Sequence, residues 1–182
     1  MCEAKMQKEL NESNEIKLRN MTSVYLSCGD KFLLLYRIGS KVINDSYTGT
    51  AGGHFEKEEL NSPKACMLRE LYEETGLKEN NIKNVRLRYV TLRLKNNEIR
   101  QNYYYFADVD DEIELESNEG KLKWVRFDEA VSLEMPYTSK YIVKHYLEIG
   151  RYTDCLYSGA AVENDVIFTE LNEFPDVQKK VI

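Results

Sequence analysis

The sequence lacks most of the features that mark membrane, secreted and nucleic-acid-binding proteins. In its 182 residues, no stretch approaches the ~20 apolar residues of a membrane-spanning helix. The formal net charge of -6 gives no general attraction for nucleic acid backbones or anionic membranes. Residues 1–20 contain no apolar segment typical of a signal peptide. We therefore expect a cytoplasmic protein with neither a nucleic acid polymer nor a membrane as its partner.

Cysteines and histidines are also few, four and two, and they lie far apart in the chain. Zinc sites need closely spaced ligands, and disulfides are rare in a reducing compartment, so we expect neither. We predict that Cys66 packs within a helix. His54 either approaches a phosphate or makes a local loop contact. The other three cysteines are Cys2, Cys28 and Cys155, and the other histidine is His145.

The composition that is present is typical of a globular protein, with 42% hydrophobic and 31% charged residues. The length suits one domain with a sizeable core. We assign residues 1–20 to an N-terminal extension and residues 21–182 to a single domain. Two strand-like pieces at 155–162 and 166–171 predict a terminal hairpin, because so short a segment cannot build a core of its own.

Apolar patterns along the domain predict strands that alternate with helices. The clearest strand signals are at residues 21–26, 32–37, 85–92 and 99–109, and a last helix is predicted at 139–149. The first two strands are joined by a short turn, and Asn96-Asn97 predicts a hairpin turn between the other two. This order indicates an α+β fold in which a mixed sheet is sandwiched by helices.

A further helix is well delimited at its two ends. Ser62 is a good N-cap, and Pro63 suits the first helical position, where its missing N–H costs nothing. Gly76 is placed to end the helix in a left-handed conformation. The predicted apolar stripe of this helix consists of Ala65, Leu68 and Tyr72, widened by Met67 and Leu71.

Three carboxylates on this helix, Glu70, Glu73 and Glu74, are spaced three and four residues apart. Such spacings bring side chains onto one face, where like charges repel unless a cation lies between them. Ligands that offer only oxygen suit Mg²⁺ or Mn²⁺, which usually act on substrate phosphates. Arg69 can pair with Glu73, four residues on, and orient it. The alternative is a solvated acidic face without a metal.

Residues 69–77, RELYEETGL, resemble the second half of the Nudix box, REUXEEXGU, where U is an aliphatic residue; every specified position matches. Gly53 followed by Glu59 is similar to part of the first half. Nine residues separate Glu59 from Arg69, two more than in the family pattern, and Ala51 stands where a proline is common. The geometry of this loop and the role of Glu59 therefore stay open.

The resemblance implies a Nudix-type α/β/α sandwich and a metal-dependent hydrolase of nucleoside diphosphates linked to another group. Residues 123–125 also look like the strand that follows a glutamate-bearing loop in many Nudix hydrolases, which makes Glu119 a candidate, with Glu116 behind it. The general base would be Glu70 or such an outside glutamate. The implied metal ligands for Mg²⁺ or Mn²⁺ are Glu70, Glu73, Glu74 and Glu119, and the catalytic residues are Glu70, Arg69, Glu73 and Glu119.

Substrate-binding candidates come from the glycine pair and from strand ends. Glycines before the helix allow a tight loop whose backbone approaches a ligand closely. On the strand at 99–109, successive side chains point to opposite faces, so either Gln101 or Asn102 could read a base edge. The full set of candidates is Gly52, Gly53, Arg37, Gln101 and Asn102.

Within the family, overall size and layout favour the MutT-type members that cleave nucleoside triphosphates, including 8-oxo-dGTP, to the monophosphate and pyrophosphate. An ADP-ribose or other nucleotide-sugar pyrophosphatase is the close alternative. A non-catalytic domain that only senses a nucleotide is a third hypothesis, although all three box glutamates are present. The expected partner is a small nucleotide, and a homodimer is possible.

Overall fold

The computed structural model describes residues 16–37 and 45–171. Its strands are β1 (Lys17–Cys28), β2 (Lys31–Arg37), β3 (Ser46–Thr48), β4 (Lys83–Lys95), β5 (Glu98–Asp108), β6 (Gly120–Arg126), β7 (Leu156–Ala161) and β8 (Val166–Leu171). Its α-helices are α1 (Pro63–Thr75), α2 (Phe127–Ala130) and α3 (Tyr137–Glu148), and short 3₁₀ turns lie at Lys57–Glu59, Glu79–Asn81 and Gly150–Tyr152.

All eight strands join one mixed sheet in the order β3-β2-β1-β5-β4-β7-β8, with β6 paired to β2. β1 and β5 are parallel, as are β4 and β7, and the other pairs are antiparallel. The two predicted hairpins of the main sheet and the terminal hairpin of β7 and β8 are thereby confirmed. Among the described helices, none is long and apolar enough to span a membrane.

Apolar side chains cover both faces of the sheet, which is why helices pack on both sides of it. The core toward α3 includes Tyr25, Tyr89, Tyr104, Phe106 and Ile142. The core toward α1 includes Val24, Leu26, Met67, Leu71 and Tyr105. Tyr104 and Tyr105 fall in different cores because successive strand residues point to opposite faces. The predicted fold class, a mixed sheet between helices, is confirmed.

The first strand extends beyond its predicted start. β1 begins at Lys17, four residues before Met21, and residues 17–20 pair with residues 98–101 of β5. The boundary after residue 20 was therefore placed too late. Three of these four residues are polar, and backbone pairing with β5 places them in the sheet although Leu18 is their only apolar member. Residues 1–15 lie outside the described part of the chain. The last helix, α3, likewise starts earlier than predicted, at Tyr137.

Helix α1 has the predicted ends but a different buried face. Gly76 has a φ of 75°, and its N–H donates to the carbonyl of Tyr72 at 2.8 Å. The predicted stripe is wrong at Tyr72, which is 52% exposed, and at Ala65, which is also exposed, but Met67 and Leu71 are buried as predicted. The full set of buried side chains is Cys66, Met67, Leu71, Glu74 and Thr75. The apolar residues of α1 lie on more than one side of the helix. The side that packs against the sheet carries Met67 and Leu71, and this orientation also turns Glu70 and Glu74 toward β1.

Candidate metal and diphosphate site

One cavity brings together residues from three separate parts of the chain. Glu70 and Glu74 of α1, Gly52 and Gly53 of the preceding loop, and Glu119 before β6 all line it. The loop reaches this position because it pairs with β1, where the N–H of Thr22 donates to the carbonyl of Gly53 and the N–H of Val24 to that of Ala51, both at 2.9 Å. Three carboxylates therefore face a backbone loop across a single space.

The glycine pair is required by close contacts on two sides. A Cβ on Gly53 would lie 2.3–2.5 Å from the carboxylate atoms of Glu70, and one on Gly52 would lie 2.3 Å from the carbonyl oxygen of Thr22. Real Cβ atoms do not approach other atoms so closely. Gly53 thus lets Glu70 lie against the loop, and Gly52 lets the loop lie against β1.

These contacts predict different results for two similar substitutions. Gly53→Ala is expected to lower kcat/KM by about 10–100-fold, because its methyl group displaces the Glu70 carboxylate and such misplacement is costly in catalysis. Gly52→Ala collides with backbone and is expected to lower the free energy of unfolding instead. Steady-state kinetics and urea unfolding of both variants test this contrast. Full activity of a folded Gly53→Ala protein would contradict the assigned position of Glu70.

Arg69 holds the carboxylates of the site in place. Its Nε and Nη2 donate to the two oxygens of Glu59 at 2.8 and 2.9 Å. Its Nη1 donates to Glu70 at 2.9 Å and to Glu73 at 3.0 Å, and Nη2 also donates to the carbonyl of His54 at 3.0 Å. The planar guanidinium group suits this forked geometry. Arg69 therefore positions side chains, which is the orienting role predicted for it.

The structure gives a role to Glu59. A turn from Glu59 to Ser62, closed by a 2.7 Å bond between the Ser62 N–H and the Glu59 carbonyl, takes up part of the longer segment before the helix. Glu59 accordingly still reaches Arg69. The hydrogen bond from Arg69 lowers the pKa of Glu59 to about 2, so this carboxylate stays charged at neutral pH. Glu59 is a partner of the orienting arginine, and it does not line the cavity with Glu70 and Glu74.

Glu74 is the most enclosed of the box carboxylates, with 8% of its surface exposed. Its Oε2 is buried without a hydrogen-bond partner among the described residues. Burial, followed by the nearby charge of Glu70, raises the pKa of Glu74 to about 7. A buried carboxylate oxygen of this kind requires either a proton or a cation to satisfy it.

The side chain of Glu73 lies outside the cavity that Glu70 and Glu74 line. Successive helix residues are rotated by about 100°, so Glu74 lies about 40° from Glu70 whereas Glu73 lies about 60° to its other side. The Glu73 side chain is 55% exposed, and it lines an outer groove together with Glu116. Its link to the site is the bond from Arg69. The spacing of the three glutamates predicted one shared metal site, but only Glu70 and Glu74 line the cavity.

Glu119 is brought to the cavity by pairing between β2 and β6. Arg37 is the register partner of Gly120, and its Nη2 forms an ion pair with the carboxylate of Glu119. The Nε of Arg37 is buried and has no partner within the described residues. Both side chains line the cavity. Sequence reasoning identified each residue as a candidate but gave no sign that they pair, because they are far apart in the chain.

A second cavity continues from this one across the α3 face of the sheet. It shares Gly52, Glu74 and Glu119 with the first and extends to Asn102. The Oδ1 of Asn102 is buried without a partner in the described structure, while its Nδ2 lies 3.4 Å from the hydroxyl of Ser23. Gln101 lies on the other face of β5, where its amide contacts the hydroxyl of Tyr103. Of the two candidates, Asn102 is therefore the one that lines this cavity.

The structure shows the surroundings of Cys66 and His54, the two residues for which the sequence predicted a role in packing or in a loop contact. Cys66 is buried in α1, and burial raises the pKa of its thiol to about 12, so it remains a protonated packing residue. His54 makes its side-chain contact outside its own loop, with Nε2 3.1 Å from Nη1 of Arg19 in β1, and it also lines the first cavity. Cys28, Cys66 and Cys155 are free, and Cys2 lies outside the described residues.

The residues at the cavity fit a hard divalent cation. Glu70, Glu74 and Glu119 offer only oxygen, which is the donor that Mg²⁺ and Mn²⁺ prefer, and the buried Oε2 of Glu74 lacks a partner among the described atoms. In residues 16–37 and 45–171, no three acidic, histidine or cysteine side chains are already grouped as a metal-binding cluster. One carboxylate oxygen of Glu70 forms an ion pair with Arg69, and one of Glu119 forms an ion pair with Arg37.

Comparisons with known proteins identify the family and the fold. The profile of the NUDIX domain matches residues 17–146. The structure of a MutT protein from Bacillus halodurans is 25% identical and superposes with a TM-score of 0.59, covering 84% of this chain and 97% of that one. An Ap4A hydrolase from C. elegans is 13% identical, with a TM-score of 0.57 and coverages of 76% and 100%.

A third solved structure is larger than this chain. It is a bifunctional NMN adenylyltransferase/ADP ribose pyrophosphatase from Francisella tularensis, complexed with AMP and a manganese ion. It is 16% identical, with a TM-score of 0.59, and the match covers 80% of this chain and 45% of that protein. At this level of identity, as for the C. elegans protein, the likeness shows the fold alone.

Proposed function

Since this chain belongs to the NUDIX domain family and is a Nudix pyrophosphohydrolase, we propose that it hydrolyses the diphosphate linkage of a nucleoside diphosphate derivative. The observation that supports this most strongly is the shared cavity, where Glu70, Glu74 and Glu119 face the glycine loop. A diphosphate is anionic, and a protein of net charge -6 with carboxylates at its site needs a cation to bind it.

We assign Glu70, Glu74 and Glu119 as the side chains that hold Mg²⁺ or Mn²⁺. When bound, such an ion neutralises phosphate oxygens and lowers the pKa of a bound water. Either Glu70 or Glu119 accepts the proton of the water that attacks phosphorus, as the P–O bond of the linkage breaks. Arg69 keeps Glu70 against the loop, and Glu73 contributes through its bond with Arg69.

Two substrate groups suit the second cavity. Nucleoside triphosphates, oxidised ones included, would be cleaved to the monophosphate and pyrophosphate, which is the MutT-type activity. ADP-ribose and other nucleotide sugars would be cleaved to two monophosphates. In either group, the buried Oδ1 of Asn102 is placed to accept a hydrogen bond from the nucleoside or sugar. Two of the proteins whose structures resemble this one are named for different substrates, ADP ribose and Ap4A.

The alternative of a nucleotide sensor without catalysis is disfavoured because each acidic side chain that the cavity needs is present. The cytoplasmic location remains a prediction from the sequence, and so does the assignment of the described and flanking residues to one domain.

The deciding experiment separates and quantifies the hydrolysis products of 8-oxo-dGTP, ordinary dNTPs, ADP-ribose and diadenosine polyphosphates with Mg²⁺ or Mn²⁺. A triphosphate should give a monophosphate and pyrophosphate, and ADP-ribose should give two monophosphates. We expect turnover of at least one substrate, and we expect it to stop when EDTA removes the metal and to return when metal is restored. Tight nucleotide binding without turnover of any compound would instead support the sensor hypothesis.

A further inference from the structure

Two arginines lie at the far end of the second cavity and take no part in the site described so far. Arg93 of β4 and Arg100 of β5 both line it, beyond Asn102. They are cross-strand partners in the antiparallel pair of β4 and β5, because they are equidistant from the turn at Asn96-Asn97. Side chains of such partners are neighbours on the same face of the sheet, with Cβ atoms about 5 Å apart.

Their placement concentrates positive charge. Arg19 of β1 is the register partner of Arg100 on its other side, so three guanidinium groups occupy one row across three strands. Glu98 pairs with Arg19 at 2.8 Å and with Arg100 at 2.7 Å. Among the described residues, no carboxylate forms an ion pair with Arg93. Like charges placed directly opposite on a sheet are destabilising, so this row is suited to receiving an anion.

Arg93 is also held in a fixed orientation. Its guanidinium lies 4.9 Å from the ring centroid of Tyr137, a cation–π contact. The hydroxyl of Tyr137 in turn donates to the carbonyls of Val162 and Asp165, at 2.8 and 2.9 Å. Stacking on a ring leaves the edge N–H groups of a guanidinium available for a ligand. The side chain is therefore oriented in advance for an anionic group.

The register gives the distance between this charge and the diphosphate site. Gly52 lies against Ser23 of β1, and Arg100 pairs with Arg19, four residues earlier on the same strand. Four residues of a strand span about 13 Å. The arginine row is therefore separated from the carboxylates, and one extended molecule in the continuous cavity can reach from one to the other.

We propose that Arg93 and Arg100 form an anion subsite, and that the substrate is a nucleoside diphosphate derivative with a second anionic group, a phosphate or a carboxylate, remote from the scissile diphosphate. The inference rests on the proposed hydrolysis at the other end of the cavity. It favours a derivatised nucleotide over an ordinary nucleoside triphosphate, in which the phosphates form a single group.

The test uses pairs of compounds that differ only in the remote anion: UDP-glucose against UDP-glucuronate, and dephospho-CoA against CoA. Hydrolysis with Mg²⁺ is measured for the wild type, Arg93→Gln, Arg100→Gln and Arg86→Gln. Arg86 is the matched control, an exposed arginine of β4 that pairs with Asp154 outside the cavity. Calorimetric binding of the same compounds with Mg²⁺, to each protein carrying Glu70→Gln to suppress turnover, provides a readout that is independent of hydrolysis.

We expect kcat/KM of the wild type to favour the anionic member of at least one pair by tenfold or more. This ratio should fall toward one in both cavity variants, mainly through KM, and persist in Arg86→Gln. Equal use of the two members of both pairs by the wild type would overturn the subsite, as would a preference that survives both cavity substitutions. A preference for guanine nucleotides that disappears in these variants would also overturn it, by assigning the arginines to the base.

Failure of the proposed hydrolysis is distinguishable from failure of the subsite. If no compound is hydrolysed but the anionic members bind at least tenfold more tightly, and only the cavity variants lose this difference, then the subsite is supported and the hydrolase proposal is not. If hydrolysis proceeds without any preference for the anionic members, then the subsite alone is refuted.

Discussion

Glu70→Gln is expected to lower kcat by about 10²–10⁴-fold, the range typical for loss of a general base or an equivalent acidic group. Glutamine has nearly the same shape, so it can still lie against Gly53 and near Arg69. It carries no charge, and its amide cannot accept the proton of the attacking water. The measurement is steady-state hydrolysis of whichever substrate the panel identifies, at saturating Mg²⁺, with circular dichroism to verify folding.

Glu73→Gln is the matched control for this substitution, since it makes the same chemical change one helical turn away. Glu73 is half exposed and lies outside the cavity, so we expect less than about a tenfold loss of kcat. Equal losses of kcat in the two variants would contradict the placement of Glu70 inside the cavity and Glu73 outside it. A fully active Glu70→Gln enzyme would transfer the role of base to Glu119.

Arg69→Met is expected to lower the free energy of unfolding by about 2–4 kcal/mol. Its removal leaves Glu59 and Glu70 without their guanidinium partner, and their side chains are only 12% and 13% exposed. A carboxylate that is shielded from water and unpaired is costly. Urea unfolding gives the difference, provided that the m-value is unchanged. The control is Arg86→Met, whose exposed ion pair with Asp154 should contribute less than about 1 kcal/mol.

The effect of Arg69→Met should also depend on pH. Arg69 lowers the pKa of Glu59 from its ordinary 4.5 to about 2. Between these values the unfolded chain binds more protons at Glu59 than the folded chain does, so the stabilisation rises with pH across this window. The difference between wild type and variant should therefore be fully present above pH ~4.5 and decrease toward pH ~2. A difference that is constant across this window would mean that Arg69 acts through packing alone.

Local sequence signals predicted the elements that carry the chemistry. The start and end of α1 follow from Pro63 and Gly76, whose preferences act within a few residues and need no distant partner, while Ser62 occupies the N-cap position without a side-chain capping bond. The hairpin of β4 and β5 follows from Asn96 and Asn97, both of which have positive φ values of 52° and 56°. The pairing of Arg93 with Arg100 could have been deduced from the same turn.

Predictions that required a choice between two faces were less successful. Helix α1 has apolar residues on more than one row, and only docking against the sheet showed that Tyr72 is exposed while Leu71 is buried. The spacing of Glu70, Glu73 and Glu74 suggested one shared cation, but the rotation of α1 leaves Glu73 outside the cavity. Similarly, alternation along β5 separated Gln101 from Asn102 without indicating which one faces the ligand.

The amino-acid sequence was sufficient to identify the family and the acidic helix, and to predict the metal-dependent chemistry that the resemblance implies, because the motif depends on short-range spacing. Contacts between distant segments were decided by the tertiary structure. The pairing of β2 with β6 joins Arg37 to Glu119, and the pairing of β1 with β5 sets the arginine row apart from the glycine loop. Register between strands that no hairpin turn joins depends on how side chains pack across the whole sheet, and no local pattern encodes it.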